Sequence, residues 1–194
     1  MKEKELEYYR NIFLANNRYI FISDSKLSNT LYLYSAYVSY IYFEEIKKNN
    51  YTEELKEIKS HTIFIYLGSI IEAVIYYYVN NKLLDEKSKR KYLELLEYKK
   101  LQKIEETDDL YICKLISKDI KLNDSINFHS LINGLNDKKL IDKKIIKKID
   151  YFRKMRNLIH INAFLVSNEY KLIEEIEKAF IDTKDILDYI EENL

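Results

Sequence analysis

The sequence predicts a mainly all-α fold, an antiparallel bundle of about five to seven helices. Two observations carry that expectation. There is no proline and there are only two glycines, Gly68 and Gly134, so the punctuation of sandwiches, barrels and phosphate-cradling loops is missing. Leu, Ile, Lys and Glu dominate, and the apolar residues recur at helical spacing. A chain of 194 residues suits one well-cored domain, and no stretch rich in Gly, Ser or Pro divides residues 1–194.

The elements follow in order. Residues 3–15 read as a short helix, and NNRYIFISDSK (16–26) as a loop or brief extended piece. Over 28–48 apolar residues return at helical spacing, with Ser28 or Asn29 as the N-cap. Asn50 opens a second signal, with Glu53 and Glu54 in the first turn of a helix running to residue 84. Its second half, IFIYLGSIIEAVIYYYV (63–79), touches the lower limit for a membrane span. Glu72 near the middle would cost about 2.5–3.5 kcal/mol on insertion scales, and an amphipathic run precedes it, so a buried core helix is expected and no membrane partner. A charged helix is expected over 86–106. LYICKLISKDIK (110–121) is partly alternating and β-branched, which predicts a strand or hairpin arm, with a helix as the alternative. Residues 128–135 form a short helix that Gly134 and Asn136 help to end, and 143–166 a longer one. The last helix, 170–194, carries a stripe at Leu172, Ile176, Ala179, Thr183, Leu187, Ile190 and Leu194.

Lys plus Arg equals Asp plus Glu at 32 each, which excludes the strongly basic field of an indiscriminate nucleic-acid binder. The charge is nevertheless polarised along the chain. Residues 138–156 hold nine basic side chains against Asp142 and Asp150, whereas 169–193 hold nine acids against Lys171, Lys178 and Lys184. Cys113 is the only cysteine, so neither an intramolecular disulfide nor a cysteine-based zinc site forms, which points to a reducing interior. The charged start MKEKELEYYR lacks the apolar core of a signal peptide, and a cytoplasmic location is expected. The 19 tyrosines fit an AT-rich coding sequence and need no functional explanation.

One stretch has the composition of a reactive face: RKMRNLIH, residues 153–160. On a helix, Arg153, Arg156, Asn157 and His160 fall within roughly 100° of arc, so two guanidinium groups, an amide and an imidazole converge. Guanidinium is a planar fork suited to phosphate, and imidazole moves a proton near neutral pH. Together they suggest chemistry on a phosphodiester. The lysines beside them, Lys143, Lys144, Lys147, Lys148 and Lys154, either follow an RNA backbone or solvate a helix. In an arbitrary protein a solvated helix face with a packed histidine is the commoner meaning of such a stretch.

An arginine and a histidine four to six residues apart, near the start of the helix pair that ends the domain, mark the HEPN superfamily of small α-helical domains, which this chain resembles over roughly residues 52–190. Arg153 and His160 have six residues between them, within that window counted as intervening residues, and Asn157 after Arg156 is the polar residue that often follows the family's arginine. YLGSIIEAVIYYYV and FHSLINGLNDKKLID resemble the buried helix and the short helix that precede the motif. Either Arg153 or Arg156 matches the catalytic arginine. The resemblance implies a homodimer whose two motifs share a cleft that cuts single-stranded or looped RNA without a metal or other cofactor, in defence, stress or toxin biology. It also implies an antitoxin or defence-system protein as a partner, or, where catalysis is lost, an RNA-binding or dimerisation scaffold. The toxin branch often has a tyrosine two residues after the histidine; here Asn162 stands there, so silencing by nucleotide modification at that position is not expected.

Other residues receive plainer readings. Glu72 needs a partner if buried, and an arginine or lysine of the 143–166 helix is the natural one; a surface glutamate is the alternative. His61, with Glu57 four residues before it, and His129 read as structural. Tyr76, Tyr77 and Tyr78 read as packing residues before base-stacking ones. Ile149 and Phe164 flank Arg153 on the helix and are candidates for apolar contact between protomers.

Overall fold

The computed structural model describes residues 3–82, 92–103, 111–121, 127–137, 139–157 and 172–194. Among them are six α-helices and one β-hairpin: α1 (Glu3–Ala15), α2 (Ser25–Tyr40), α3 (Glu53–Lys82), β1 (Tyr92–Lys103), β2 (Tyr111–Lys121), α4 (Phe128–Asp137), α5 (Lys143–Asn157) and α6 (Leu172–Asn193). The fold is mainly α-helical, as the scarcity of Gly and Pro predicts.

The apolar second half of α3 is the axis. Ile63, Phe64, Ile71, Val74, Ile75 and Val79 have no exposed surface, because α2, α5 and α6 cover the helix on successive sides. Each such side chain contributes about 1.5–3 kcal/mol through burial. The helix is long and apolar enough to cross a membrane by length and composition, and 56% of its most apolar window is buried inside the fold. α6 lays the predicted stripe on α3: Leu172, Ile176, Ala179, Thr183, Leu187 and Ile190 are buried, joined by Ile186, while Leu194 lies exposed beyond the helix end. Glu57 of α3 caps α6 from a distance, its carboxylate accepting from the Leu172 N–H at 2.6 Å and the Ile173 N–H at 3.2 Å.

Three expectations are corrected. α2 begins before Ser28 and Asn29, because Asp24 is the cap: its carboxylate accepts from the N–H groups of Lys26 (2.9 Å) and Leu27 (3.0 Å). The same helix passes without a break into a π-helical stretch, Ile41–Lys47. In that stretch Tyr42 donates to Glu177 Oε1 at 2.6 Å, and Glu45 accepts from Lys59 Nζ at 2.5 Å. The charged helix expected over 86–106 is absent among the described residues; Tyr92–Lys103 is a strand, paired antiparallel with β2 from Tyr92 opposite Lys121 to Lys103 opposite Tyr111, with a bulge between Lys100 and Gln102. Alternate residues pair their backbone groups across the ladder with a β-branched partner of similar length, and that tertiary pairing overrides the local helical preference. The hairpin packs through β1 on α4.

Candidate functional site

Two apolar anchors bring α5 down onto α3. Phe152 is fully buried beside Phe64, with ring centroids 6.4 Å apart, and Ile149 is fully buried one turn earlier. Gly68 faces α5 at this crossing: a Cβ there would stand at ordinary contact distance, 3.4 Å from the Arg156 Cβ and 3.6 Å from the Phe152 carbonyl oxygen. Arg156 therefore lies across α3 one turn from Glu72, and its Nη1 donates to Glu72 Oε2. This is the motif-helix partner that Glu72 needs. Both side chains keep about a third of their surface in solvent (39% and 32%), so the pair forms a wall of a cleft and not a buried core bridge.

That cleft, about 760 Å³ and open to solvent, is bounded by Ile65 and Glu72 of α3, by Arg153, Arg156 and Asn157 of α5, and by Asn127, Phe128 and His129 at the start of α4. Arg153 donates from Nε to Asp150 Oδ1 at 2.7 Å, and its two terminal nitrogens have no partner among the described residues. Asp150 also holds Lys154 Nζ at 2.8 Å. Burial pushes the Asp150 carboxyl up, but the hydrogen bonds from Lys154 and Arg153 outweigh it and hold the group below its ordinary value. Asn127 caps α4, its Oδ1 accepting from the Ser130 N–H at 2.8 Å. The positive end of α4 thus opens into the same cleft as the guanidinium groups.

His129 is the residue that sequence reasoning set aside as structural. It is exposed, it lines the cleft, and its Nε2 lies 3.1 Å from Asn133 Nδ2, within hydrogen-bond distance. No sequence signal links His129 to Arg153; only the packing of α4 against α5 brings them together. His160, Asn162 and Phe164 lie outside the described residues, as does the rest of the expected helix beyond Asn157.

The remaining candidates separate by face. Lys143, Lys144 and Lys147 are exposed along α5, and Lys154 is 65% exposed. Lys148 points the other way, held by Asp182 (2.7 Å) and Asp185 (2.5 Å) of α6, and those hydrogen bonds push its ammonium pKa up. A phosphate would have to displace two carboxylates to reach it. Through Lys148 the basic segment touches the acidic last helix within the chain, and Ile149, fully buried, is not a contact between protomers. Tyr78 is buried and donates to the Leu140 carbonyl at 3.2 Å, while the Tyr77 hydroxyl accepts from the Ser23 N–H at 3.0 Å, so both are packing residues. Burial lowers the His61 pKa against the opposing charge of Glu57, and His61 sits on α3 outside the cleft lining. Among the described residues no group of three or more His, Cys, Asp or Glu side chains is placed to hold a metal ion. Compared with family models, with curated proteins and with solved structures, the chain matches none of them.

Proposed function

We propose that the chain is a metal-independent endoribonuclease of the HEPN type, acting in the cytoplasm on single-stranded or looped RNA as a homodimer with a shared cleft, in a defence, stress or toxin setting with an antitoxin or defence-system protein as its partner. One observation carries this reading: two guanidinium groups, an amide, an imidazole and a helix N-terminus face one open cleft. Each suits a phosphodiester. The terminal nitrogens of Arg153 and the free nitrogens of Arg156 hold the non-bridging oxygens and offset the charge that grows on them as the 2′-oxygen attacks phosphorus. Asn157 orients a phosphate oxygen or the neighbouring imidazole. His160, by the resemblance, takes the proton from the 2′-hydroxyl, and His129, which must carry both ring protons to do so, delivers one of them to the departing 5′-oxygen as the P–O5′ bond breaks. The products are a 2′,3′-cyclic phosphate and a 5′-hydroxyl.

A second reading, a non-catalytic RNA-binding scaffold, has its own support. Glu72 and Asp150 already occupy part of each arginine, which lowers the net positive charge of the cleft. Incubation of the purified protein with an unstructured RNA in EDTA separates the two. Cleavage leaving cyclic phosphate ends, slowed at least about 100-fold by His160→Ala, is the catalytic outcome. Binding without cleavage is the scaffold outcome, and wild-type rates in His160→Ala contradict the catalytic assignment.

A further inference from the structure

The His129 ring makes one hydrogen bond among the described residues, and its partner stands on the same helix. Phe128, Leu131, Ile132 and Leu135 are buried at positions i, i+3, i+4 and i+7, which turns one face of α4 into the core. His129 and Asn133, four residues apart, fall together on the flank of that face, and both are exposed. His129 Nε2 and the Asn133 amide nitrogen stand 3.1 Å apart. The two ends of the amide exchange by a half-turn of the side chain, so Asn133 can present either Nδ2–H or Oδ1 to the ring. With Nε2 engaged, Nδ1 is the ring nitrogen left for a ligand in the cleft that His129 lines. An exposed imidazole without such a tether samples several rotamers, and a tether offsets the entropy cost of holding one of them.

We infer that Asn133 is a positioning residue: it holds the His129 ring by Nε2 and leaves Nδ1 as the atom that delivers the proton. This rests on the proposed role of His129 as the proton donor. In that role the ring carries both protons, Nε2 is a donor, and the amide turns Oδ1 toward it. As the P–O5′ bond breaks, the Nδ1 proton passes to the 5′-oxygen, and the ring is left neutral with its remaining proton on Nε2. That proton is still donated to Asn133 Oδ1, so one hydrogen bond persists through the transfer and the ring stays in place. Asn133 itself is not part of the cleft lining and acts only through His129. What the position requires is an acceptor one turn after the histidine, which aspartate supplies and alanine does not.

Single-turnover cleavage of an unstructured RNA in EDTA, with RNA affinity measured alongside, tests the assignment on the full chain. Asn133→Ala slows the cleavage step by about tenfold, the lower end for a hydrogen bond to a charged group, and leaves RNA affinity unchanged. Asn133→Asp keeps the acceptor and stays within about threefold of the wild type. Added to His129→Ala, Asn133→Ala slows cleavage no further, because its effect runs through the ring. A second measurement needs no RNA. Three-bond couplings of the His129 side chain in NMR spectra show one dominant χ1 rotamer in the wild type and in Asn133→Asp, and rotamer averaging in Asn133→Ala. If His129→Ala cleaves at the wild-type rate, the proposed role of His129 fails, and the couplings still decide whether Asn133 holds the ring. Unchanged couplings in Asn133→Ala, equal losses of rate in Asn133→Asp and Asn133→Ala, or a further loss in the double variant overturns the assignment.

Discussion

Arg156 and Glu72 set how much positive charge the cleft presents. Their pair is more than a third open on the arginine side, so it stabilises the fold by no more than about 1 kcal/mol. Glu72→Gln keeps the shape, removes the negative charge and releases one arginine nitrogen. RNA affinity by fluorescence anisotropy should then rise several-fold and the salt dependence should steepen by about one counterion, with the melting temperature nearly unchanged. An affinity unchanged or lowered in that variant contradicts Arg156 as a phosphate ligand. Asp150 behaves oppositely. Its carboxyl is held below its ordinary value of 3.8, so its stabilisation is present above that pH and is lost as pH falls through the lower folded value. Melting temperatures followed from about pH 5 to pH 2 should fall less steeply in Asp150→Asn than in the wild type. At this scale the arginines and Asn157 are legible from helical spacing alone. His129 is not, because a cleft residue contributed by another helix has no local pattern.

The elements divide the same way. α6 is legible because a buried stripe at 3.6-residue spacing is a property of the segment itself. β1 is not, because a strand's register is settled by its partner, and the charged run 92–103 carries no signal of β2. Asp24 displaces Ser28 as the cap of α2 because the competition between neighbouring polar residues is decided by which one adopts the extended backbone. Gly68 marks where α5 crosses α3 beside the site. Its added Cβ would meet Arg156 and Phe152 at ordinary contact distance, so Gly68→Ala should stabilise the protein by about 0.5–1 kcal/mol through helix propensity while keeping the cleft. Gly68→Leu has no such room and should push Arg156 away from Glu72. Denaturant unfolding and RNA affinity measured on the two variants check this; a destabilised Gly68→Ala contradicts the packing described.

Across the whole molecule, the charge polarity of the sequence is met inside the fold at one point, Lys148. Lys148 joins α5 to α6 through two aspartates, whereas Lys143 and Lys147 stay on the solvent side. Lys148→Ala should cost about 1–2 kcal/mol of stability, between the values for exposed and buried pairs, with little change in RNA binding. Lys143→Ala and Lys147→Ala should each reduce the salt slope of RNA binding by about one and leave stability alone. The central claim is that the cleft between α3, α4 and α5 cuts RNA. Its most direct test is single-turnover cleavage of an unstructured RNA in EDTA by the wild type and by Arg153→Ala, Arg156→Ala and His129→Ala, each confirmed as folded. The account predicts wild-type cleavage with each variant slowed by about 100-fold or more. Cleavage at wild-type rates in all three folded variants, or no cleavage by the wild type, would contradict it.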